Sequence, residues 1–220
     1  MAKSQSPNHV LVVVLAVLAM AAGPVLSSPA AARNDRPVDQ ATRDAALLTA
    51  RANLIVAVKR RDMAAVLKFF TPKVMLSFGG DAGHGALKKF LREDKSLWAN
   101  LQWVLENGGR FNKDGSFTAP WTFFAEAKGI EGTEAGVIIA LRVNIRSKPA
   151  PSGAVLATRS FGVLRLAYER NGPKQWTRVA LPDKRIGYVH QRFIRSVIDY
   201  RATWTKKSGQ WMISSFVAGD

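Results

Sequence analysis

Cysteine is absent from the 220 residues, and histidine is scarce, with only His9, His84 and His190. The first absence excludes disulfides, Cys-ligated zinc, iron–sulfur clusters and thiol nucleophiles. The second leaves little for a histidine-based metal site, so no metal and no cofactor is expected. Acidic residues are half as numerous as basic ones, 16 against 32, for a formal charge of +16. Hydrophobic residues make up 47% and charged residues 22%, a globular balance with enough length for one large domain or two small ones.

The first segment reads as an address. Residues 1–9 are polar with Lys3, and the apolar run 10–22 has 13 residues, against the ~20 of a spanning helix. Gly23-Pro24 and then Ala30-Ala31-Ala32 complete the pattern of a secretory signal peptide over residues 1–32. An uncleaved membrane anchor is the other reading. No cysteine follows the run and no twin arginine precedes it. Cleavage removes only Lys3 from the charge count and leaves +15 on an exported, periplasmic or secreted protein. Export argues against nucleic acid as the partner of that charge. The membrane is then met only through the cleaved segment.

The remainder has two textures. Residues 40–61 carry a helical stripe through Leu47, Ala50, Leu54 and Val58. Asp62 is placed to cap a shorter helix through Phe70, which Pro72 stops. Residues 73–78 alternate as a strand, with Val74, Leu76 and Phe78 on one face. The glycine turn 79–85 leads into one helical stretch from Leu87 to Val104, closed by Asn107-Gly108-Gly109. Lys113-Asp114-Gly115 reads as a hairpin turn leading to a strand over 118–125. Beyond residue 132 short β-rich runs follow, at 136–145, 154–158, 163–168, 176–181 and 186–189, which indicates a small barrel. A hairpin over 200–217 closes the chain.

Four ordered blocks in this half resemble a bacterial SH3 domain: Asn144, Ile145, Arg146 and Pro149; then Phe161-Gly162-Val163; then Trp176, Arg178 and Val179; then Gly187-Tyr188-Val189. Lys148 and Lys184 stand where that family often has glycine. More weakly, residues 45–92 and 200–220 resemble the opening and closing segments of a nuclear transport factor 2-like cone. The resemblances together imply an α+β fold: N-terminal helices with a curved antiparallel sheet, cone-like, plus a small SH3-like β-barrel. The α+β domain would span 39–131, completed by the hairpin 197–220, with the barrel at 132–196. A helical N-terminal domain followed by a barrel extended by one hairpin is the alternative.

Routes to catalysis are few. Asp81 and His84 form the one close acid–histidine pair after residue 32, a base with its orienting carboxylate or simply a capped turn. Asp199, beside Tyr200, is a further candidate for a cone pocket. The glycines at 80–85 match neither a dinucleotide fingerprint nor a phosphate loop. Wall hydrolases that carry SH3 modules need a cysteine or several zinc ligands, and neither is present. The barrel half is the more basic, with 15 Lys/Arg against 5 Asp/Glu over 132–220. Arginines interleave there with aromatics, as suits acidic peptides or stem carboxylates. The expected groove comprises Trp176, Tyr188, Arg146, Arg178, Arg185 and Phe193. The expected function is non-enzymatic recognition of an envelope component, a cell-wall peptide or peptidoglycan or an acidic envelope protein. A small-molecule-binding or catalytic cone and a structural subunit of an envelope assembly are the alternatives.

Overall fold

The computed structural model describes Met1 and residues 36–219. Apart from Met1, the expected signal segment lies outside those residues. No helix among the described residues is long and apolar enough to cross a membrane.

The architecture is α+β. A 3-10 turn (Gln40–Arg43) precedes α1 (Ala45–Lys59), which begins where Asp44 Oδ1 accepts from the Leu47 N–H at 2.9 Å. Asp62 caps α2 (Met63–Leu67) in the same way, through the Ala65 N–H. That helix ends earlier than Pro72, and the chain is already extended at Phe70. Strand β1 (Phe70–Met75) contains Pro72 because it is the edge of its sheet, where a missing N–H removes no ladder bond. Val74 and Leu76 are buried as expected, but Phe78 lies beyond the strand and is exposed.

The single helix expected after the glycine turn is two, α3 (Gly83–Glu93) and α4 (Ser96–Glu106). Asp94 is extended between them, and its Oδ1 accepts from the Ser96 N–H at 2.8 Å. The Trp98 indole N–H donates to the Leu91 carbonyl at 2.8 Å and ties the two together. Gly108 (φ +57) then turns the chain, and a Cβ there would stand 2.3 Å from the Val38 carbonyl oxygen. The Gly109 N–H donates to that same carbonyl at 2.9 Å, which docks Val38 against the turn.

Strands β2 (Arg110–Phe111) and β3 (Phe117–Ala119) form the expected hairpin. The second strand is shorter than its sequence suggests, because Pro120 has no N–H to continue the ladder and a 3-10 turn (Trp121–Phe124) follows. The closing hairpin, β11 (Arg201–Lys207) with β12 (Gln210–Val217), pairs with both β3 and β1, giving the order β1-β12-β11-β3-β2. The expected antiparallel sheet is therefore mixed, since β1 enters beside β12 running the same way. Leu47, Leu54, Leu101, Phe70, Phe117, Trp204 and Ile213 fill the core between this sheet and the helices.

Seven further strands lie between β3 and β11 in sequence: β4 (Ala135–Ile138), β5 (Val143–Arg146), β6 (Val155–Arg159), β7 (Val163–Leu166), β8 (Trp176–Ala180), β9 (Ile186–His190) and β10 (Ile194–Ser196). The strand expected over 136–145 is broken at residues 139–142, where Arg142 takes φ +53 and its N–H donates to Ser160 Oγ. The bonded order is β10-β4-β7-β8-β9-β5-β6, open at both ends rather than a closed barrel. Ile138, Ile145, Leu164, Val179 and Val189 form its own core. A third cluster, around Trp121, Ala135, Val137 and Val197, joins the two sheets' surroundings.

Candidate functional site

Alternation along β8 and β9 fixes what faces outward from the seven-stranded sheet. Val179 and Val189 are buried, so Trp176 and Arg178, and Tyr188 and His190, stand on the opposite face, all half-buried. Register pairs Trp176 with His190 and Arg178 with Tyr188, and Tyr188 in turn with Arg146 on β5. Close approach of the strands depends on Gly187, where a Cβ would meet Ile145 Cγ2 at 2.5 Å.

The rings on this face form a row. Trp176 and His190 lie edge to face at 5.3 Å, and His190 and Phe193 at 6.2 Å. The Arg192 guanidinium lies 4.5 Å over the Phe193 ring. His190 Nδ1 accepts from the Arg192 N–H at 3.3 Å, which orients the imidazole and starts the 3-10 turn Gln191–Phe193.

Two grooves flank Trp176. One, of about 240 Å³, lies between the row and the β5–β6 hairpin, and is lined by Leu141, Arg142, Asn144, Arg146, Pro151, Trp176, His190, Arg192 and Phe193. It contains three guanidinium groups and no carboxylate. Arg146 also donates to the Gly153 carbonyl at 2.9 Å, which braces the hairpin loop. The other, of about 260 Å³, lies against the β7–β8 loop, lined by Tyr168, Glu169, Gly172, Pro173, Trp176 and Arg178 among others.

Of the six residues expected in one groove, Trp176, Arg146 and Phe193 line the first and Arg178 the second. Tyr188 lies between Arg178 and Arg146 in register, on the sheet between the grooves. Arg185 lines neither groove. Its guanidinium grips Asp183 in the β8–β9 turn, with Nε 2.8 Å from Oδ2, and this contact raises the arginine's pKa and lowers that of the aspartate. His190 also lines the first groove, outside the six expected residues, and its i, i+2 spacing from Tyr188 on a strand is the signal that places it there.

Asp81 and His84 are turned to different partners. Ser77 Oγ donates to Asp81 Oδ2 at 2.8 Å, and His84 Nε2 donates to the Phe70 carbonyl at 3.0 Å. Neither caps α3, whose N-cap is Ala82. Asp199 Oδ2 pairs with Arg195 at 2.5 Å and its Oδ1 accepts from the Tyr200 N–H. Tyr200 stacks on Phe216, and its phenol is held above its ordinary pKa by burial and by the charges of Asp94 and Asp199. Among the described residues no three His, Cys, Asp or Glu gather as metal ligands.

No protein-family model, curated protein or solved structure matches this chain.

Proposed function

We propose that residues 132–196 are an SH3-like module of an exported, non-enzymatic protein, and that the groove beside Trp176 recognises a peptide component of the cell envelope. The chain path supports the module. Strands β7, β8 and β9 meander, a 3-10 turn follows, and β10 returns to pair with β4. The β5–β6 hairpin is inserted between β4 and β7, beside the aromatic row.

The observation that carries the ligand class is the composition of the first groove: Arg142, Arg146 and Arg192 around an aromatic wall, with no carboxylate in the lining. Guanidinium forks favour carboxylates, and stacked rings offer apolar area without much rotamer freedom to lose. Stem peptides and acidic envelope proteins supply both. The catalytic-cone alternative uses Asp81, His84 and Asp199, which are engaged with Ser77, Phe70 and Arg195.

Co-sedimentation with purified sacculi tests the reading. The wild-type protein is expected in the pellet, and Trp176→Ala, shown to be folded by circular dichroism, is expected to remain in the supernatant. Wild-type protein that stays soluble, or a folded Trp176→Ala that pellets equally, rejects the wall-peptide assignment.

A further inference from the structure

The carboxylates of the seven-stranded sheet are almost all accounted for. Among the described residues after 132, Glu134 pairs with Arg165, Asp183 with Arg185, and Asp199 with Arg195. Glu169 is the exception: it is exposed, in no ion pair, and it lines the second groove. An ideal Cβ at Gly172 would stand 3.8 Å from Glu169 Oε2, so the carboxylate lies along the groove's own backbone. Tyr168 stands beside it in the lining, with its hydroxyl donating to the Thr133 carbonyl at 2.9 Å. Anchored at its tip, that ring lines the same groove as the carboxylate, and an aromatic face with a carboxylate suits an ammonium group.

The second groove thus holds one carboxylate, Glu169, and one guanidinium, Arg178, whereas the first holds three guanidinium groups and no carboxylate. Arg142, Arg146 and Arg192 are in no ion pair among the described residues, and they lie where no carboxylate does. The two grooves meet at Trp176, which lines both. The first is built on β5 and the end of β9, the second on β8 and the loop before it. One strand lies between β5 and β8, which at about 4.8 Å per strand gap separates them by roughly 10 Å. An extended peptide covers that distance with about three residues.

We infer that the two grooves form one bipolar cleft for a short extended peptide, with its carboxylate end among Arg142, Arg146 and Arg192, its middle across Trp176, and a free ammonium group at Glu169. This rests on the reading of the groove as a peptide site and adds the direction and the end groups of the ligand. A peptide with its amino group acylated lacks the contact at Glu169. A peptide with its carboxylates amidated lacks the contacts with the arginines.

Isothermal titration of the purified protein with the synthetic peptide Ala-Gly-Gly-Asp, its N-acetyl form and its fully amidated form separates these contributions. The free peptide is expected to bind about two- to fivefold more tightly than the acetylated one, the range for an exposed ion pair. Glu169→Gln is expected to abolish that preference while leaving the acetylated peptide's affinity unchanged. Arg192→Gln is expected to weaken the free and acetylated peptides by the same factor. Equal binding of free and acetylated peptides, a Glu169→Gln variant that weakens both alike, or no binding of any of the three overturns the inference. Trp176-dependent binding to sacculi with no preference for a free amino group rejects the bipolar cleft and leaves the wall-peptide reading standing. The expected peptide pattern without sacculus binding keeps the cleft and rejects the wall.

Discussion

Trp176 and His190 face each other across the β8–β9 pair, with ring centroids 5.3 Å apart and planes at 63°. The imidazole is held from its other side by Phe193 and by the Arg192 N–H. The indole that divides the two grooves therefore has a fixed wall. A double-mutant cycle with Trp176→Ala and His190→Ala, measured by urea unfolding, is expected to return a coupling of about 0.5–1.5 kcal/mol, the range for an aromatic pair in contact. Additive single-mutant effects would show that the rings stand independently.

Lys184 adopts φ +67 in the turn between β8 and β9, at a position where a glycine is free of strain. The Lys184 N–H donates to the Leu181 carbonyl and the Leu181 N–H to the Arg185 carbonyl, so the turn is a three-residue hairpin loop with a left-handed final residue. Lys184→Gly is expected to stabilise the protein by about 0.5–1 kcal/mol, seen as a Tm higher by roughly 1–4 °C. Lys184→Ala keeps the strain and removes the charge, so it is expected to give no gain. An equal rise in both variants would assign the effect to charge.

That position shows what the sequence makes legible. Turn chemistry and caps are local, so Asp62, the 113–115 turn and the closing hairpin are readable from neighbours alone. Edge placement is not local. Pro72 halts a helix or sits harmlessly in a strand depending on what pairs beside it, and that partner, β12, is about 140 residues away. The split between α3 and α4 is decided by the Asp94 side chain bonding to the Ser96 N–H, a competition that the continuous apolar stripe conceals. In the groove, Trp176 and Arg146 follow from the motif blocks, whereas Phe193, in the 3-10 turn after β9, follows only from the interleaving of arginines and aromatics in that half. Arg185 lies outside both grooves because its guanidinium is taken by Asp183, two residues away, a pairing that composition does not register. Glu169 is not legible in the sequence, because only the pairing of the other carboxylates makes it distinctive.

Acid sensitivity has an identifiable source at the start of the fold. Burial pushes the Asp39 carboxyl upward, but hydrogen bonds from Arg51 and from the Ala41 N–H, together with the Arg51 charge, outweigh it and leave the pKa below the ordinary carboxylate value. A depressed folded-state pKa contributes stability above the unfolded value of about 3.9, which is lost as pH falls through the folded value. Asp39→Asn is expected to cost about 1 kcal/mol at pH 7, given the partial exposure of the pair. The difference from wild type is expected to narrow below about pH 4. Urea midpoints between pH 7 and pH 3 check this, and a constant difference across the range would remove Asp39 from the acid limb.

Arg195 joins the two halves of the molecule. It rises from β10 of the seven-stranded sheet, lies 4.0 Å over the Trp103 ring of α4, and donates to Asn100 at 3.3 Å while pairing with Asp199 at 2.5 Å. Its side chain is only 17% exposed, so the ion pair and the stacking are both partly desolvated. A planar guanidinium meets the ring and the two oxygens at once, which an ammonium group cannot do. Arg195→Ala is expected to destabilise by about 2–3 kcal/mol, since it also leaves Asp199 without its cation. Arg195→Lys is expected to recover less than half of that loss. Asp199→Asn removes only the ion pair and is expected to cost less than Arg195→Ala, because the contact with Trp103 remains. Chemical denaturation of the three variants orders them, and a lysine variant as stable as wild type would show that charge alone holds the junction.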